Sequence, residues 1–317
     1  KKRGGTVITA RDVMEFHLPA DGNPLWAETN FFGFNIPEEK INVGIYFLSR
    51  PTLGVALASV QIIQGFPRHR IEALYYDEHA HLQLPEKVGD YSLANGLSVK
   101  AVNPPMDYLL TYKGNNDTEF HIEFEGLMPP YDITDPEMDP NAPKEKPIKG
   151  HFDQTGHFKG TLKVKGKTYK VDSVSTMDHS WGPRPEADYA SASWFHVSFG
   201  RELTIHSIFG FDPMTPEILD PFAHGYVLEG GKVYGLKSGK GHSTRDDLMQ
   251  IGMNVEVTDV RDRNYHFTGS AMTGFPWMCW PNTCDFATLM EWNMDGRIGY
   301  GECQDVVSMP NIMRRSA

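Results

Sequence analysis

Runs of six to ten residues rich in Val, Ile, Phe, Tyr and Thr recur along the chain, broken by Gly or Pro about every ten residues. Such spacing is the mark of short strands joined by tight turns. Strands are predicted near 26–34, 41–49, 54–63, 71–76, 97–102, 108–113, 119–125, 158–164 and 167–175. A second series is predicted near 190–199, 202–209, 222–228, 232–236, 250–257, 265–271, 286–292 and 297–307. Gly200-Arg201, Gly230-Gly231 and Asp295-Gly296 read as hairpin turns. No helical stripe is longer than about three turns, and only 217–223 and 244–249 read as single helical turns. The expected fold class is therefore all-β. Eight antiparallel strands in the second series are about what closes a small barrel with room for one ligand. The first series has enough strands for another barrel or a large sandwich.

The organisation that follows is two β domains packed side by side, over 10–182 and 183–317. A Pro-rich, acidic stretch over 128–150 breaks the pattern and reads as an exposed insertion in the first domain. The length, 317 residues, agrees with two domains.

Charge and composition then exclude whole classes of function. A net charge of −11 removes the basic surface that nucleic-acid binding needs. The longest apolar run, Val55 to Ile63, is interrupted by Ser59 and Gln61 and falls short of a membrane span. Neither nucleic acid nor membrane insertion is expected. No apolar stretch follows Lys1-Lys2-Arg3-Gly4-Gly5, so no signal peptide is expected there. A cytoplasmic location is expected, with a leader lost ahead of Lys1 left open. Cys279, Cys284 and Cys303 are too few and unevenly spaced for a disulfide framework or zinc site and read as buried thiols.

The familiar catalytic and nucleotide motifs are absent: no G-x-S-x-G, no phosphate-binding loop, no G-x-G-x-x-G after a strand. His79-x-His81 is a local pair for which Glu86 and His121 are conceivable co-ligands, but no spacing selects them. No metal and no cofactor is expected. The densest polar cluster is Met177-Asp178-His179-Ser180-Trp181-Gly182-Pro183-Arg184-Pro185. It follows a predicted strand, so it is placed at a strand end, with Gly182-Pro183 turning Trp181 and His179 into an interdomain cleft. A capped turn with Trp181 as a plug is the alternative.

Asp178-His179-Ser180-Trp181-Gly182-Pro183-Arg184 resembles the H-x-W-G signature of carotenoid 1,2-hydratase-like proteins. These are lipocalin-like two-domain proteins that include kievitone-hydratase-type enzymes and fungal Diels–Alderases. Weaker pieces of the likeness are Trp26-Ala27-Glu28-Thr29, Arg50 to Ala56, His151 to Gly156 and Gly299-Tyr300-Gly301-Glu302, so it spans most of the chain, which looks most like a bacterial branch. The resemblance implies that His179 and Trp181 are the family's His and Trp. The family's later Y-x-D falls on His206-Ser207-Ile208, where His replaces Tyr and Ile208 replaces the acid. Asp178 is expected to supply the missing carboxylate.

What the resemblance implies is cofactor-independent lyase or isomerase chemistry on a hydrophobic molecule such as a terpenoid, steroid or phenolic. Hydration of an alkene needs a proton donor, a stabilised carbocation and a placed water. Asp178 and His179 are expected to form the proton-transfer pair, Trp181 the cation-facing wall, and His206 an auxiliary donor. Arg184 is expected to orient Asp178 or hold the junction. Period-two alternation puts Trp194, His196 and Ser198 on one face of a strand, and Thr204, His206 and Ile208 on one face of its neighbour. If both faces point inward, His196 and His206 line one pocket; otherwise each is an outward-facing strand histidine. Glu28 is either outward-facing or a functional acid; Tyr108, His151 and Gln154 are weaker candidates. A ligand carrier without catalysis and a pericyclase are the rival functions. A monomer or homodimer is expected.

Overall fold

The computed structural model describes residues 7–135, 149–184, 190–280 and 282–316. The first half is one large antiparallel sheet that curls into a half-barrel. Its strands are β1 (Trp26–Ile36), β2 (Ile41–Arg50), β3 (Val55–Gln64), β4 (Tyr75–Gln83), β5 (Asp90–Ser92), β6 (Leu97–Asn103), β7 (Asp107–Lys113), β8 (Glu119–Gly126), β9 (Tyr131–Asp132), β10 (Gly150–Val164) and β11 (Lys167–Pro183). They run in the order β4-β3-β2-β1-β11-β10-β8-β7-β6-β5, with β9 attached to β10. The second half is a closed eight-stranded barrel of consecutive neighbours. Its strands are β12 (Ser191–Ser198), β13 (Leu203–Phe211), β14 (Ile218–Glu229), β15 (Lys232–Asp246), β16 (Met249–Asp259), β17 (Asn264–Trp280), β18 (Thr283–Met294) and β19 (Arg297–Ser308). All three expected hairpin turns are present, at the β12–β13, β14–β15 and β18–β19 connections.

Alternation sorts the side chains into three apolar layers. Phe32, Phe34, Val43, Ile45, Val60, Leu110, Phe124 and Phe158 fill the concave side of the sheet. Phe195, Val197, Ile205, Phe209, Val255 and Trp292 fill the barrel. Between the two lies a third layer, in which Ala27, Phe31, Tyr46 and Leu48 of the sheet's outer face meet Trp194, Phe275 and Trp277 of the barrel. The halves therefore stack through their outer faces. β19 closes the barrel against β12 at Gly299 and Gly301. A Cβ on Gly301 would stand 1.8 Å from the His196 carbonyl oxygen, so only glycine permits that approach.

Several elements differ from the sequence reading. The two predicted helical turns are extended, 217–223 lying mostly in β14 and 244–249 forming the hairpin from β15 to β16. Leu219 is buried in the ladder to β15, and that long-range pairing overrides local preference. The strand predicted near 71–76 starts later, as β4, after a short 3-10 turn. Two short helices were not foreseen, α1 (Ala10–Met14) and α2 (Met309–Ser316). Val13 of α1 is buried in the concave core. The Pro-rich insertion falls largely on residues 136–148, outside the described residues. No described helix is long and apolar enough to cross a membrane. The three cysteines are free and buried, as expected.

Candidate functional site

The polar cluster around Asp178 is not a turn at a strand end. Met177 to Pro183 continue β11, held between β1 and β10. Successive side chains of an extended strand point to opposite faces. Asp178 and His179 are therefore separated by the sheet, and the expected proton-transfer pair does not form. Each belongs to its own group of partners.

His179 and Trp181 point to the concave side. Nε2 of His179 lies 2.7 Å from Oε1 of Glu28, and both residues are buried. The same Oε1 is 2.9 Å from Nδ1 of His17, and Oε2 accepts the His17 backbone N–H at 2.8 Å. Nε2 of His17 is 3.2 Å from Asp12 Oδ1. The His17 ring stacks on Trp181 with centroids 3.7 Å apart and planes 3° from parallel. Burial pushes the Glu28 carboxyl up, but the bonds to His17 and His179 outweigh it and hold the group below its ordinary range. Glu28 is thus neither outward-facing nor unpaired. Tyr108 shares this side but sits in the apolar core between Phe32 and Phe124. Gln154 donates to the Met128 carbonyl at 2.9 Å, a structural bond.

Asp178 points the other way, into the layer between sheet and barrel. Phe31 and Asp153 are its cross-strand neighbours. Asp153 is a fully buried anion with three partners. Trp194 Nε1–H donates to Oδ1 at 2.8 Å, while His151 Nε2 and His206 Nε2 lie 3.0 and 3.2 Å from Oδ2. Burial opposes its charge, yet the imidazoles hold it well below the usual carboxylate range. Asp178 has no hydrogen-bond partner among the described residues and is only partly buried. Burial, opposed by His151 and reinforced by Asp153, pushes it up to about 7. Two neighbouring carboxyls are thus driven apart, one held ionised and one keeping its proton.

Of the two orientations open to His196 and His206, the outward one is found. Phe195, Val197 and Ile205 occupy the barrel interior, so His196, His206 and Trp194 project outward and are covered by the sheet. His196 and His206 face each other in register. Burial and His206 push His196 down to about 3, so it is neutral. Arg184 donates to Ser180 Oγ at 2.7 Å and lies over the Trp280 ring at 5.7 Å, holding the rim of the junction. On the metal question, His79 is bonded to Asp77 at 3.0 Å and His81 is exposed, so no site gathers there.

Five residues of these networks were not foreseen: Asp12, His17, Asp153, Asp285 and Glu302. The last two project from the barrel into the same layer. Glu302 Oε2 occupies the space a Cβ on Gly33 would fill, at 2.6 Å, which explains the glycine there. Burial pushes Glu302 up to about 7 and Asp285 well above its ordinary value. A separate cleft of about 620 Å³ opens beyond this layer. Its His157 is already bonded to Asp172 at 2.7 Å and to Arg201 at 2.7 Å.

These shifts fix the sign of a pH dependence. Burial opposes the His151 imidazolium, but Asp153 outweighs it and raises the group from 6.5 to about 9. Its contribution, on the order of 3 kcal/mol, is complete below pH 6.5 and lost as pH rises through about 9. Glu302 also binds its proton more tightly when folded, so stability is lost from pH 4.5 to about 7. Asp153 acts oppositely, its contribution vanishing as pH falls below 3.8. His196, kept neutral by burial, works against this below pH 6.5. Denaturant unfolding should therefore show stability falling from pH 6.5 to about 9; a rise across that interval would contradict the assigned partners.

The sequence matches the family described as Domain of unknown function (DUF7064) over residues 13–306. No curated protein matches it. Among solved structures, kievitone hydratase from Nectria haematococca is 12% identical with TM-score 0.52, covering 96% of each chain. An AttH-type protein from Nitrosomonas europaea is 11% identical with TM-score 0.61, covering 92% of this chain and 96% of that one. CghA, solved with Sch210972, is 10% identical with TM-score 0.53, covering 90% of this chain and 89% of its own. The likeness is one of fold alone.

Proposed function

Since the chain belongs to the DUF7064 family, we propose that it is a cofactor-independent hydratase, dehydratase or double-bond isomerase working on a hydrophobic small molecule. Its site is the layer where sheet and barrel meet, which draws on both of the domains divided near residue 183. What carries this assignment is Asp178, a partly open carboxyl with no hydrogen-bond partner among the described residues, set beside an anion held by the Trp194 N–H and the His151 and His206 rings. A side chain left unpaired in so organised a surrounding is available to a substrate.

Each neighbour then has a role. Asp178 delivers a proton to an alkene carbon or to a leaving hydroxyl. Phe31 and Trp194, in edge contact at 6.1 Å, present the aromatic wall over which positive charge develops. The fixed charge of Asp153 stabilises that cation electrostatically. His151, largely buried on the same side and charged below about pH 9, positions a water whose proton returns to the Asp178 carboxylate. His206 and the neutral His196 line the barrel side. The fold neighbours, whose names include a hydratase, support small-molecule chemistry of this kind.

Incubation with a panel of terpenoid, steroid and phenolic alkenes and allylic alcohols in deuterium oxide tests the proposal. Deuterium is expected in the product carbon skeleton. Turnover without deuterium would point to a pericyclic reaction, and tight binding without turnover to a carrier; either result rejects the acid–base assignment.

A further inference from the structure

We propose a metal-binding site on the concave face of β11, formed by His17, Glu28 and His179 and suited to one divalent ion of the zinc class. The site is independent of the junction chemistry, from which the sheet separates it. The three ligating atoms lie within 4.8 Å of one another. Oε1 of Glu28 stands between them, 2.7 Å from Nε2 of His179 and 2.9 Å from Nδ1 of His17. Two imidazoles and one carboxylate oxygen are a borderline-soft donor set that suits zinc and its first-row neighbours, not magnesium or calcium.

Three further features build the site. The first is its outer support. His17 turns its remaining nitrogen to Asp12 at 3.2 Å, and Glu28 fixes its remaining oxygen on the His17 backbone N–H at 2.8 Å. A carboxylate behind a ligating imidazole is the usual way such a ring is aimed. The second is Asn30. It is 2% exposed, its Oδ1 has no partner, and it lies directly across from His179 on the same face as Glu28. A buried orphan oxygen at that position supplies a fourth ligand. The third is the wall. Trp181 stacks on His17, and the Phe152 ring centroid is 5.2 Å from that of His179, so water is kept away.

Donor atoms around a tetrahedral zinc ion stand about 3.4 Å apart, given bonds near 2.0–2.1 Å. The two carboxylate–imidazole contacts must therefore open by about 0.5–0.7 Å, and the ion replaces the proton that joins each pair. His17 follows α1 in the N-terminal segment, whereas Glu28 and His179 are on β1 and β11. A four-ligand ion would consequently pin that segment across the half-barrel, in the manner of a closed structural site. Local motif reading does not find it, because the ligands fall at positions 17, 28 and 179 with no short spacing.

The test uses the full chain stripped with a chelator and titrated with Co²⁺, then Zn²⁺. One Co²⁺ per chain should bind with the visible absorption of four-coordinate cobalt, Zn²⁺ should displace it, and either ion should raise the melting temperature. His17→Ala should abolish that spectrum while the far-ultraviolet circular dichroism stays β. Asp12→Asn, at a partly buried supporting position, should weaken binding by about 10–100-fold. His79→Ala, outside the site, should change nothing. Absence of stoichiometric binding by the unaltered chain overturns the proposal. So does an unchanged cobalt spectrum in folded His17→Ala. Failure of Glu28→Gln to fold would leave the His17 and Asp12 variants to decide.

Discussion

Turnover is expected to fall by about 10²–10⁴-fold when Asp178 is replaced by Asn, with the fold unchanged. Asn keeps the shape and loses the acidic proton. Because Asp178 has no hydrogen-bond partner among the described residues, its replacement breaks no bond they supply. Removing a carboxyl crowded by Asp153 should leave the melting temperature level or raise it. That combination separates catalysis from architecture: a structural residue would lose stability first and activity in proportion. Turnover and melting should be measured on the same preparations. Undiminished turnover in folded Asp178→Asn would remove Asp178 from the chemistry.

The second large effect is on stability. Asp153→Ala should cost about 3–5 kcal/mol, the scale for breaking a buried ion pair by deleting one partner. The deletion strands the Trp194 N–H and two imidazoles at once, across two halves of the molecule. Asp153→Asn should cost less, since its carbonyl oxygen still accepts from Trp194. It also removes the charge that raises His151, so the loss of stability between pH 6.5 and about 9 should flatten. Denaturant unfolding of both variants checks this. A cost below about 1 kcal/mol for the Ala variant would mean that the apolar layer alone holds the halves together.

The strands were legible where one face is apolar and the other wet. They were shortened where both faces are buried and polar. Residues His151 to Thr155 and Met177 to Gly182 carry the functional side chains, so they lack apolar alternation and read as loop and turn. β10 and β11 consequently run to 15 and 17 residues, well beyond the predicted spans. The same cause misplaced the site. Alternation was applied to Trp194–Ser198 but not to Asp178–Trp181, because Gly182-Pro183 suggested a bend. Individual residues were therefore found, while their partnerships were not. Glu28 meets His179 across 151 positions, and Asp153 meets Trp194 across 41. No local spacing encodes such meetings. His17, Asp285 and Glu302 had no pattern of their own, and only the assembled sheet and barrel reveal them.

β11 prints one set of chemistry on each of its faces, which constrains how this family can change. Point substitutions can tune either face alone, since neighbouring residues along the strand never share partners. Insertion or deletion of a single residue between Val171 and Met177 is another matter. It would shift the register by one and exchange the two faces wholesale, sending the carboxyl of Asp178 into the concave core and His179 toward the barrel. Length variation among relatives should accordingly be confined to the hairpin at Lys165-Gly166 and to the connections flanking the long strands, while the 167–183 segment keeps a constant count.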